Sequence, residues 1–249
     1  MSAYVDSAAI GNAEDVTDST TAAVTTTGSD KVFIGGSVAG GFFPGAIDTS
    51  EMRYGGSGGT LLSQQGTDQT FNNTLGIVNA WGVIDPAASS QTAYAAFAAA
   101  AQASAIVGAC YSGVDQTTPF SSTQVANSFD SSGTNAFIDC SLAATGLTVG
   151  RTLVAIIGAF STGVDATSFT ALSGQGTLRD HAISTLAIIG VALVEKVVAS
   201  TSETIGARFN IGAAGAGLDY VVIAFELIEP AGGGGGGVTL MGQKIFVRA

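Results

Sequence analysis

The chain has 249 residues, of which 46% are hydrophobic and only 11% charged, and its formal net charge is −11. That length suits one large domain or two modules with a proper core. The balance of 19 acidic to 8 basic residues lacks the basic footprint that nucleic acid or an anionic membrane surface selects, so neither partner is expected.

Residues 1–22 read as a polar N-terminal arm. They carry no basic region followed by an apolar one, so no secretory signal is expected there. A first repeat spans 23–113, with short apolar segments at 32–38, 75–84, 94–99 and 106–111. Turn chemistry separates them: GSGG at 56–59, QGTDQ at 65–69 and FNNT at 71–74. The window 92–110, TAYAAFAAAAQASAIVGAC, is the best candidate for a membrane span. Alanine contributes little to insertion, however, and no Lys/Arg cluster flanks it. It reads as strand, short Ala-rich connection, strand.

Residues 114–135 are polar and turn-rich and read as a connecting segment. The second repeat spans 136–230, with strands expected around 137–143, 153–157, 186–194, 205–211 and 220–228. TLVAIIGAF and VVIAFELIE are rich in the β-branched and aromatic residues that suit strands. Helix is scarce. Its best chances are the alanine run 95–104 and LVEKVVAS at 193–200, and the latter reads better as strand plus turn.

A glycine run from Gly232 to Gly237 cannot pack a core, and ordering it costs the most entropy of any residue type. The glycine-hinged tail, 231–249, ends in the apolar, strand-like VTLMGQKIFVRA (238–249). Such a segment can add a strand to a neighbouring sheet, dock on a neighbouring subunit, or fold back on its own module. Gly232, Gly237, Ile245 and Phe246 mark it as a candidate assembly segment.

The chain also repeats itself. TLLSQQGT (60–67) matches TALSGQGT (170–177), and TLGIVNAWGVID (74–85) matches TLAIIGVALVEK (185–196), at offsets of 110 and 111 residues. A unit of that length is far longer than a solenoid repeat and is the size of a small β-sandwich. The expected fold is therefore all-β: a jelly-roll-like β-sandwich built from two homologous repeats. Either two packed lobes or one double-size sandwich fits. Two packed lobes are favoured, because each copy has enough strands for its own sandwich.

The residues that could carry chemistry do not assemble into a known catalytic pattern. His181 is the only histidine and reads as a loop residue, and no G-x-S-x-G elbow supplies it with a nucleophile. Glu195, Glu203, Glu226, Glu229 or the aspartates could furnish a carboxylate pair, but Glu226 and Glu229 read as solvated strand-end charges. The glycine-rich segments lack the G-K-[ST] of a P-loop. Cys110 and Cys140 read as small buried hydrophobes. A disulfide would need their Cα atoms within about 7 Å. Trp81 sits in an alternating apolar strand and reads as core, which leaves Tyr54 as the better exposed aromatic. No enzyme activity, cofactor or metal is expected.

Three blocks, in order, carry a family resemblance: MRYGGSGGTLL (52–62), NAWGVIDPA (79–87) and, most specifically, CYSGVDQTTPF (110–120). They resemble β-sandwich domains of bacteriophage virion proteins and of bacterial surface or secreted proteins that share a YGG…SGVDQTTP signature. The likeness covers residues 23–120 well and the second half only loosely. Arg53 stands where threonine is usual, and the alanine run at 95–104 is a further departure. In the signature, Tyr111 ends a buried strand, Gly113 permits a positive φ, Asp115 caps the turn and Pro119 stops further pairing. Asp115 as a calcium ligand is the alternative use of that carboxylate.

The resemblance implies a non-enzymatic structural protein of a phage particle: a head decoration or cement protein, a head fibre, or a tail-associated component. Implied partners are other virion proteins, major capsid or tail proteins, and further copies of the chain, with a trimer as the analogy. Host-surface glycan is a further partner it allows. The implied location is the virion, assembled in the host cytoplasm. The alternative is a cell-surface or secreted adhesion or carbohydrate-binding module.

Overall fold

The computed structural model describes residues 2–12, 16–41, 46–163, 165–184, 186, 188–214 and 217–230. Among them there is no helix; the chain forms strands throughout. The first repeat contributes β1 (Ala3–Asn12), β2 (Val16–Thr25), β3 (Val32–Gly40), β4 (Thr49–Tyr54), β5 (Thr60–Leu61), β6 (Ser63–Gln64), β7 (Gln69–Thr70), β8 (Gly76–Ile84), β9 (Ser90–Ala101) and β10 (Ala103–Ser112). The second contributes β11 (Gln124–Asp130), β12 (Phe137–Thr145), β13 (Thr152–Thr162), β14 (Ala166–Ala171), β15 (Thr177–Ile183), β16 (Ile189–Val197), β17 (Ser202–Ile211) and β18 (Gly217–Leu227).

The two copies share one topology. In the first, an inner sheet runs β1-β10-β3-β8-β6, with β7 also on β8, and an outer sheet runs β2-β9-β4-β5. In the second, the inner sheet runs β11-β18-β13-β16-β15 and the outer sheet β12-β17-β14. Reading β1 as β11, β2 as β12, β3 as β13, β4 as β14, β8 as β16, β9 as β17 and β10 as β18 superposes the two orders, with β6 and β7 together taking the place of β15. All pairings are antiparallel.

This match moves the repeat boundaries outward. The segment read as a polar arm, 1–22, contains β1 and much of β2, and β1 pairs with β10 along its whole length, with one bulge between Tyr4 and Asp6. Its small and polar residues give no strong period-2 apolar signal, because an edge strand is half-buried by its neighbours rather than by its own side chains. The segment read as a connection, 114–135, likewise contains β11, which pairs along β18. The alanine run at 95–104 is strand on both sides of Gln102. As the sequence suggests, β16 is the strand of LVEKVVAS, and it ends at Val197.

Four layers stack as outer sheet, inner sheet, inner sheet, outer sheet. Side chains alternate across each inner strand. Phe33, Ile106 and Cys110 face the first outer sheet, with Met52, Tyr54 and Phe97 opposite. Val32, Ile34, Ala105 and Val107 face the other way and meet Ile156, Val191, Leu193, Val221 and Ile223 of the second copy. Ala155, Ile157 and Val222 then face the second outer sheet and pack on Cys140, Leu142, Phe169 and Phe209. Because both faces of the inner sheets are covered, β3, β10 and β13 are buried almost residue for residue. That is why they read as continuous apolar runs rather than as alternating ones.

The centre of the stack is a reciprocal fit. Gly36 in β3 lies under Ile156, whose Cγ2 would stand 2.5 Å from a β-carbon at that position, and Gly158 in β13 lies under Val78. Each copy offers a bare backbone patch to a branched side chain of the other. The two lobes are thus joined by a core of their own.

Candidate functional site

The signature segment is a joint between the two sandwiches. Gly113 adopts φ 70°, which lets the chain leave β10 sharply. Its N–H donates to Ser29 O at 3.1 Å, and the next N–H, of Val114, donates to Asp30 O at 2.9 Å. The chain then crosses to the second copy: Asp115 N–H donates to Ile228 O at 2.7 Å, and Ile228 N–H donates to Pro119 O at 2.8 Å. The Asp115 carboxylate accepts from the N–H groups of Thr117 and Thr118, both at 2.7 Å. Those amides, Thr118 first, hold its pKa below the usual carboxylate value. Phe120 bridges to Leu227 and packs edge-on against Phe225. Tyr111 and Val114 are fully buried on the first side of the joint.

A second set of polar side chains lines the same seam, and the sequence does not reveal it. Arg179 on β15 forms an ion pair with Glu195 on β16, and its guanidinium stacks 4.2 Å above the Tyr4 ring of β1. Tyr4 in turn meets Tyr111 edge-on at 5.9 Å. Burial first, then the Glu195 charge, pushes the Tyr111 hydroxyl well above its ordinary pKa. The Ser2 hydroxyl donates to Thr152 Oγ1 at 2.7 Å, and Ser2 N–H to Glu229 Oε1 at 3.1 Å, so the start of the first copy is fastened to the second. On β18, Asp219 is fully buried and accepts from Asn73 N–H at 2.9 Å across the seam. Burial raises its pKa to about 6. A carboxylate near the start of the apolar run LDYVVIAF (218–225) was the available signal for it.

The other candidate residues take structural places. Glu226 is buried, not solvated: it accepts from Thr148 N–H at 2.6 Å and lies 3.6 Å from Arg151. Glu203 pairs with Lys196 at 2.7 Å and caps the turn at Ala199 and Ser200. His181 lies in strand β15 rather than in a loop, with its ring edge-on to Phe169 at 6.1 Å. Tyr54 is only 2% exposed, and its hydroxyl donates to Ser89 O at 2.7 Å; the turn after it is exposed but the ring is not. Trp81 is buried and donates to Ser37 Oγ at 3.2 Å. Cys110 and Cys140 are free, buried and in different copies. Burial pushes the Cys110 thiol up to about 11 and raises the Cys140 thiol as well. Among the described residues, no group of three or more His, Cys, Asp or Glu side chains comes together as a metal site. Gly232, Gly237, Ile245 and Phe246 lie outside the described residues.

The class these features define is an all-β protein of two fused sandwiches with a polar seam. No family model matches the chain, and no curated protein matches it. Among solved structures, the crystal structure of PBSX exported protein XepA aligns at 11% identity over 90% of this chain and 86% of that chain, with a TM-score of 0.20. A score that low establishes no common fold.

Proposed function

We propose that the chain is a non-enzymatic structural component of a bacteriophage particle, acting through protein–protein contacts as a head decoration, head fibre or tail-associated protein. The observation that carries this reading is the use made of the SGVDQTTP-like segment. The residues that most resemble virion sandwich domains, Gly113, Asp115 and Pro119, form the hydrogen-bonded joint between the two copies, which is a scaffold role. The carboxylates that could have served chemistry are engaged in holding turns and strands: Glu195 with Arg179, Glu203 with Lys196, and Glu226 with Thr148. A charge-poor chain with 46% hydrophobic residues also suits a protein whose outer faces are partly covered in an assembly.

Antibody raised against the chain should label purified particles of the phage that encodes it, and the chain should sediment with them in repeated copies. Recovery only in the particle-free fraction, as a monomer that binds glycan, would instead support the adhesion reading.

A further inference from the structure

One edge of the first sandwich gathers two carboxylates around a buried amide. Asp48 lies just before β4, where Ala98 N–H donates to its backbone carbonyl at 2.9 Å. Asp68 lies in the turn between β6 and β7. Asn79 stands in β8. Its neighbours Val78 and Ala80 belong to the core between the inner sheets, so its side chain turns with Trp81 toward the outer sheet. Asn79 Nδ2 donates to Asp68 Oδ1 at 2.9 Å, and the same side chain hydrogen-bonds the Asp48 carboxylate. Gln64 Nε2 donates to the same Asp68 oxygen at 2.6 Å. Burial first, then the Asp68 charge, raises the Asp48 carboxyl above its ordinary pKa, so each carboxylate lies within reach of the other's charge. Thr49 borders the same space. Met52 meets Gly35 and Tyr54 meets Phe33, so β4 runs antiparallel across β3. That carries Thr49 back to the level of 37–39, whose register partners in β8 are 77–79.

Three oxygens in this cluster are buried and find no hydrogen-bond partner among the described residues: Asp48 Oδ1, Thr49 Oγ1 and Asn79 Oδ1. Asn79 is 0% exposed and Thr49 2%. Buried oxygens left unpaired are costly, and two facing carboxylates add repulsion. A hard divalent cation relieves both at once. We propose that Asp48, Thr49, Asp68 and Asn79 form a binding site for such a cation, of the calcium class. Asn79 Nδ2 stands where the two carboxylates converge, and a half-turn of the amide puts Oδ1 in its place. Calcium accepts irregular sets of about six to eight oxygens, carboxylate, amide and water together. Two carboxylates completed by neutral oxygens therefore suit it. Zinc and copper favour sulfur or imidazole, and none of these four residues supplies either. Binding there clamps β4 of the outer sheet to the β6–β7 turn of the inner sheet. This inference does not rest on the particle reading.

The test uses the full-length protein stripped of metal with a chelator. Added calcium should raise its thermal unfolding midpoint. Terbium, a luminescent stand-in for calcium, should emit when excited through Trp81. That residue is the single tryptophan and lies on the same face of β8, two residues from Asn79. Excess calcium should displace the terbium and extinguish the emission. Asp68→Asn changes an exposed turn residue, so the fold should survive it while calcium affinity falls about tenfold or more. Asp48→Asn should act in the same direction. Asp165→Asn, at an exposed position of the second copy, should change neither readout. No calcium-dependent rise in the midpoint of the parent would overturn the proposal, leaving water to serve the bare oxygens. Calcium binding equally tight in the parent and in Asp68→Asn would overturn it too, as adventitious binding to an acidic surface.

Discussion

At the scale of single residues, the most consequential group is Asp219, a carboxylate kept in the seam with one oxygen on Asn73 N–H and the other without a partner. Burial raises its pKa from 3.8 to about 6. The protonated form is therefore favoured in the folded state. Its contribution is full below about pH 4 and is lost as pH rises through about 6, a difference of about 3 kcal/mol for a shift of that size. Asp219→Asn keeps an acceptor for Asn73 and removes the buried charge. Urea unfolding at pH 8 should find this variant more stable than the parent, with little difference at pH 4; a less stable variant at pH 8 would refute the assignment. Tyr54 makes the opposite case, since its buried hydroxyl is satisfied by Ser89 O. Tyr54→Phe should cost about 1 kcal/mol in the same measurement, whereas an exposed ring would cost nothing.

At the scale of elements, what decides a strand's legibility is who buries it. β3, β10, β13 and β18 carry their own signal, because both faces are apolar. β1, β2 and β11 do not: they are edge strands of small and polar residues, recruited by their neighbours. That is why 1–22 reads as an arm and 114–135 as a link. The turn at Gly113 and Asp115 is legible because its cause is local, a positive φ and a carboxylate two and three residues before the amides it caps. The Arg179–Glu195 pair, its stacking on Tyr4 and the buried Tyr54 are not, because each depends on which layer lies opposite. The inner sheets meet where Gly36 and Gly158 receive Ile156 and Val78. Gly158→Val should push the sheets apart at that point and cost about 1–3 kcal/mol. Thermal unfolding would read it as a lowered midpoint, and an unchanged midpoint would mean the inner sheets are not in close contact.

At the scale of the whole molecule, the duplication yields one body. The core between the inner sheets draws Val32, Ile34 and Val107 from one copy and Ile156, Leu193 and Ile223 from the other, so neither half closes its own surface alone. The joint at 113–121 and the hydrogen bonds from Ser2 fasten the same seam. The most direct test of that architecture is differential scanning calorimetry of the full chain. A single transition whose calorimetric enthalpy equals the van't Hoff value is expected, as for one cooperative unit. Two separable transitions, each assignable to one repeat, would contradict the shared core.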